Sequence, residues 1–168
     1  MSSSDQLRDA LVREVILRLY DECLPRIITC LDQLDDQQIW WRPNENSNSI
    51  GNLVLHLAGN IRQWIYAGLG RNEDVRNRRL EFDERREIGR EALKKQLTDT
   101  LETVRPVIEN VPTEELLNIR QVQTFQETGL TILVHVTEHF SYHTGQIAYI
   151  TKLLNDKPLK FYEGVALQ

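Results

Sequence analysis

Between Asp5 and Leu34 the apolar residues Leu7, Leu11, Val15, Leu19, Leu24, Ile27, Leu31 and Leu34 recur at intervals of three, four or five. That spacing keeps them on one side of a long α-helix. It returns in three further stretches. Ile50, Leu53, Val54, Leu57, Ile61, Trp64 and Ile65 mark a helix that should begin at Asn48 or Ser49 and stop near Gly68 and Gly70. Ala92, Leu93, Leu97, Leu101, Val104 and Ile108 mark one from about Ile88 to Asn110. Leu130, Leu133, Val134, Val136, Phe140, Ile147, Ile150 and Leu153 mark one from about Gly129 to Asn155. No stretch alternates convincingly as a strand. Four amphipathic helices bury their stripes best against one another, so the expectation is an all-α helical bundle, a single domain over residues 1–168. A chain of this length buries roughly 70% of its unfolded surface without staples, so any metal would serve function.

The connections are less regular. Pro25 and Pro106 lie inside helical patterns, where a missing N–H and a clash with the preceding turn predict bends near Asp21 and in the last turns of the third helix. Asp35 to Asn48, with Trp40, Trp41, Arg42 and Pro43, reads as a turn-rich linker whose tryptophans cover the bundle end. Ile119 to Glu127 reads as an extended loop. Arg71 to Glu91 holds seven Arg and seven acids. An anion or partner site built by Arg76, Arg78 and Arg79 competes there with a solvated loop tied down by ion pairs, and the loop is the expectation.

Twenty Lys and Arg against twenty-five Asp and Glu leave a net charge of −5, the wrong sign for a phosphate backbone, so nucleic acid is not an expected partner. No apolar run approaches the roughly 20 residues that cross a bilayer, and no leader pattern opens the chain. A cytoplasmic protein without a membrane partner is expected. Cys23 and Cys30 sit about 10 Å apart along one helix, too far to pair, and read as buried structural thiols.

All four histidines fall on expected helices. His135, His139 and His143 repeat at i, i+4 and i+8. Neighbours in that stripe are about 6 Å apart along the axis and about 40° apart around it, so two of them can meet one ion. The outer pair, about 12 Å apart, cannot easily do so. His139 belongs to both possible pairs, and His56 is the remaining histidine that could complete a three-imidazole site with an open position. The plainer alternative is helix-face histidines satisfied by hydrogen bonds or water. Glu138 and Tyr142 point away from the stripe, whereas Gln146 could orient a ligand.

Two stretches, S-I-G-N-L-V-L-H-L-A-G-N at Ser49 to Asn60 and H-V-T-E-H-F-S-Y-H-T-G-Q-I at His135 to Ile147, resemble the DinB-like (YfiT-like) superfamily of metalloproteins. W-W-R-P at Trp40 to Pro43 and R-N-R-R-L-E-F at Arg76 to Phe82 resemble a subfamily of unknown function within it. The resemblance implies a four-helix bundle with a crossover connection, usually a homodimer. It also implies a divalent metal on His56, His139 and His143, with His135 left as a supporting or structural residue. Zinc or nickel is the first expectation for the ion, manganese or iron the next. Some relatives transfer, hydrolyse or isomerise low-molecular-weight thiols or their conjugates, so a thiol substrate is expected, with Trp64 and Tyr142 as lining candidates. The competing expectation is a non-catalytic metal-binding or stress-response dimer.

Overall fold

A computed structural model describes residues 2–85 and 88–164. Arg86 and Glu87 of the charged connection, and the two chain ends of the expected domain, lie outside the described residues. Helix α1 (Ser3–Ile16) runs through a wide π-type turn (Leu17–Cys23) into α2 (Leu24–Asp32). Asp21, near which a bend is expected, lies inside that turn, four residues before Pro25.

Helix α3 (Asp36–Ile39) corrects the reading of residues 35–48 as turns alone. Asp35 accepts from the Gln38 N–H and Gln38 returns a bond to the Asp35 N–H, so a capping box folds this short turn. Trp40 follows it and closes the bundle end as expected. Its indole donates to the Ile88 carbonyl at 2.9 Å and lies so close over Gly51 that a Cβ there would come within 2.7 Å of the ring.

Helix α4 (Ile50–Ile61) begins at the Ser49 cap and continues through a second wide turn (Arg62–Leu69). It is the central element, buried nearly all round against α5 (Arg78–Asp83), α6 (Arg90–Glu109) and α7 (Gly129–Asn155). Asn52 completes the Ser49 capping box, and its Nδ2 also donates to the carbonyls of Glu81 at 2.9 Å and Glu84 at 3.2 Å. That bond fastens α5 to α4. On α6 the inward residues are Leu93, Leu97, Leu101, Val104 and Ile108, while Ala92 faces solvent.

The segment expected as an extended loop after α6 is a hairpin. Strands β1 (Ile119–Val122) and β2 (Phe125–Thr128) pair antiparallel, with Ile119 opposite Thr128. Arg120 donates to the Leu69 carbonyl at 2.8 Å, and Val122 packs so tightly over Gly68 that a Cβ there would stand 2.6 Å from it. Tertiary seating of this kind, rather than turn chemistry, holds the hairpin.

Helix α7 occupies the expected span, yet Leu130, Val134 and Leu153 are exposed rather than buried. With Tyr142 and Tyr149 they form an outer stripe, opposite the core stripe of Leu133, Val136, Phe140 and Ile147. Leu7 is exposed as well. The buried apolar residues form one cluster, and Cys23 and Cys30 lie within it as free thiols.

Candidate metal centre

The centre is built by two packed helices. The buried face of α4 presents His56, and successive turns of α7 present His139 and His143. His139 Nε2 stands 3.1 Å from His56 Nε2 and 3.2 Å from His143 Nε2. One ligand atom from each histidine lies within 4.8 Å of the other two. Two imidazole nitrogens bound at about 2.0–2.1 Å to one zinc-like ion stand about 3.0–3.4 Å apart, so the spacing suits a shared ion.

The outer nitrogens fix what the inner ones offer. His56 Nδ1 lies 2.9 Å from Glu81 Oε2, and His143 Nδ1 lies 2.7 Å from Gln146 Oε1. Both partners are acceptors, and hydrogen on each Nδ1 would leave each Nε2 with a lone pair turned toward His139. A single hydrogen on His139 Nε2 could satisfy only one of those lone pairs. Burial, reinforced by the neighbouring histidines and Arg76, pushes His139 down to about 3, so it is neutral at pH 7. Burial also lowers His143 and His135.

Behind His56 lies a buried ion pair. Arg76 clamps the Glu81 carboxylate through Nε to Oε1 at 2.7 Å and Nη2 to Oε2 at 2.8 Å, and the two side chains are only 4% and 9% exposed. Burial acts to raise the Glu81 pKa, but the bonds from Arg76 and His56 outweigh it and hold the carboxyl below its ordinary value. Arg76 Nη1 donates to Gln63 Oε1 at 2.7 Å, and Gln63 Nε2 donates to Asp74 Oδ2 at 2.7 Å. Gln123, from the hairpin turn, donates to the same Gln63 oxygen. A Cβ on Gly59 would overlap the Glu81 carboxylate, so the pair occupies room that only glycine leaves.

The expectation of a solvated loop therefore fails at Arg76 and Glu81. At Arg79 the expected exposed ion pair is present, 3.1 Å from Asp83, but it lies on helix α5 and not in a loop. Arg76 is already engaged by Glu81 and Gln63, and Arg78 lies over the Phe82 ring at 4.9 Å, so the three arginines do not build an anion site. Sequence reasoning missed Glu81 as the partner of His56. The available signals were the R-N-R-R-L-E-F stretch, which starts on Arg76 and carries Glu81 next to its end, and a glycine inside α4.

His135 lies outside the cluster of three. Its ring lies against Trp64, tilted by 40° with centroids 4.1 Å apart, and 5.5 Å separates it from His139. Its Nε2, like His139 Nδ1, is buried with no hydrogen-bond partner among the described residues. Glu138 is exposed, as expected. Tyr142 is exposed too, but its ring stands 4.9 Å from His143, so it borders the site instead of pointing away from it. Phe82 borders His56 at the same 4.9 Å.

A sequence profile of the family described as "Protein of unknown function (DUF1572)" matches residues 14–163. The chain belongs to the DUF1572 family. Among solved structures, this DUF1572 protein is similar to a DinB-like protein from Bacillus cereus ATCC 10987. The two are 13% identical, the match covers 83% of this chain and 90% of that one, and the TM-score is 0.66. The likeness establishes a DinB-like fold. No curated protein matches the chain. Among the described residues, no helix is long and apolar enough to cross a membrane.

The buried histidines should make the metal-free DUF1572 protein acid-sensitive. His139 has an ordinary value of 6.5 in the unfolded chain and about 3 in the fold, so between these limits protons bind the unfolded chain better. This stability is fully present above pH 6.5 and drains away as pH falls. Glu81, lowered from 4.5, adds a second loss below that value. Thermal melts in chelator should therefore show a falling Tm from pH 6.5 to 4.5, shallower in His139→Ala, and a steeper fall below. A Tm that stays level down to pH 4.5 would contradict the assignment.

Proposed function

We propose that this DUF1572 protein is a metal-dependent enzyme that holds one divalent ion on His56, His139 and His143 and acts on a low-molecular-weight thiol or its conjugate by transfer or hydrolysis. The observation that carries the reading is the pair of Nε2 separations, 3.1 and 3.2 Å, in a cluster whose outer nitrogens at His56 and His143 are taken by acceptors. Lone pairs gathered in this way, on half-buried or buried rings, suit a cation better than one another. Zinc or nickel fits an all-imidazole donor set best, with manganese and iron as further candidates. A bound divalent ion supplies positive charge that favours the ionised form of a thiol or water at neutral pH. Tyr142 and Phe82, beside His143 and His56, are placed to contact the organic part of a substrate. The proposal includes a homodimer, for which the outer stripe of α7 offers an apolar face.

Elemental analysis of untagged wild type and His139→Ala, dialysed and reloaded with zinc, nickel, manganese or iron, tests the ion. About one ion per chain should remain in wild type and be lost in the variant. No retained ion in either protein would overturn the reading. A loaded protein that turns over no electrophile with any thiol would leave a binding protein in place of the enzyme. Light scattering on the same samples reads the dimer, and a monomer removes that part.

A further inference from the structure

We infer that Glu81, clamped by Arg76, is a positioning residue for this centre: its carboxylate fixes the His56 imidazole with hydrogen on Nδ1 and the Nε2 lone pair turned to the ion. The inference rests on the ion-binding reading proposed above. Glu81 is the one carboxylate that hydrogen-bonds any of the three histidines among the described residues. The other two rings are served differently, since Gln146 offers His143 a neutral amide oxygen and His139 Nδ1 has no partner among the described residues. A carboxylate acceptor makes an imidazole a stronger donor at its far nitrogen than an amide does.

Three features keep that carboxylate in place. Arg76 bonds both of its oxygens, Asn52 ties the Glu81 backbone to α4, and Gly59 leaves the space that it fills. The opposite tautomer is a real competitor, because Arg76 Nη2 also stands 3.1 Å from His56 Nδ1 and could donate to it. That arrangement would set a bare Nδ1 lone pair against an ionised oxygen at 2.9 Å and leave hydrogen on Nε2, where an ion must bind. The carboxylate decides against it.

The test has two readouts. Nitrogen-15 NMR of the imidazoles in metal-free protein at neutral pH reads the tautomer, and competition with a chromophoric chelator reads zinc and nickel affinity. Wild type is compared with Glu81→Gln and with Gly59→Ala, which displaces the carboxylate without changing a polar group. The expected result is hydrogen on Nδ1 of wild-type His56, loss of that single form in both variants, and affinity weakened about 10- to 100-fold at unchanged stoichiometry. Circular dichroism confirms that each variant is folded, and if Glu81→Gln does not fold, Gly59→Ala decides. Hydrogen on Nε2 of wild-type His56, or unchanged affinity in a folded variant, would overturn the inference. If wild type binds neither zinc nor nickel, elemental analysis with all four ions decides the ion-binding reading on its own account, and the tautomer spectra still decide whether Glu81 orients His56.

Discussion

Replacing Arg76 with alanine should destabilise the metal-free protein by about 3–5 kcal/mol, the cost of stranding one member of a buried ion pair. The Arg76 side chain is 4% exposed and supplies two of the three side-chain bonds that hold the Glu81 carboxylate, His56 the third. Without it, an acid that burial already disfavours would keep only His56 and its backbone ties to Asn52. The Gln63 oxygen would lose its bond from Arg76 as well. Much of this loss belongs to the stranded charge, so Glu81→Gln in the Arg76→Ala background should recover part of it. Urea unfolding in chelator measures all three. A loss below about 1 kcal/mol would mean that the pair behaves like an exposed ion pair. Arg79→Ala, at the exposed partner of Asp83, is the contrast and should stay within about 0.5 kcal/mol.

Phe140→Ala should cost a similar amount, about 3–5 kcal/mol. Phe140 is the largest of the fully buried side chains and follows His139 directly on α7. Its removal leaves a cavity where the helix that carries His139 and His143 meets the core, and close-packed interiors collapse only partly around such gaps. Phe140→Leu, which refills most of the space, should lose much less. Unfolding in chelator separates this packing loss from any effect on the ion. A cost near 1 kcal/mol, typical of an unremarkable substitution, would show that α7 is not seated on this ring.

The bundle was legible because each of its helices carries a core stripe at helical spacing, and the stop at Gly70 and the start at Gly129 stand in the sequence as punctuation. Periodicity was weaker where a helix is apolar on two sides. On α7, Leu130 and Leu133 have the same hydrophobicity, and only the packing of α4 and α2 against one face tells them apart. The hairpin was hidden for another reason. Its turn residues, Gln123 and Thr124, lack the Asn-Gly signal, although Gln123 adopts a left-handed φ of 56°. What holds the hairpin, Val122 over Gly68 and Arg120 on the Leu69 carbonyl, spans about fifty residues of chain. The histidines had a readable spacing within α7, while the choice of His143 over His135 came from resemblance, and the structure groups the same three. The pairing of Glu81 with His56 depends on how an irregular segment folds back over α4. Charge content alone reads that segment as solvent-facing.

The wide turn that ends α4 has a consequence for changes in chain length. Each residue of an α-helix advances the chain by about 100° around its axis, so adding or removing one residue rotates everything beyond it. His56 lies upstream of the Arg62–Leu69 turn, and Gln63 and Trp64 lie at its start. A single deletion late in the turn would leave these three in phase with α7. It would swing Gly68 out from under Val122 and carry the Leu69 carbonyl away from Arg120. Length variation at this point would thus reach the hairpin as a change of angle, while the histidine end of the helix keeps its phase.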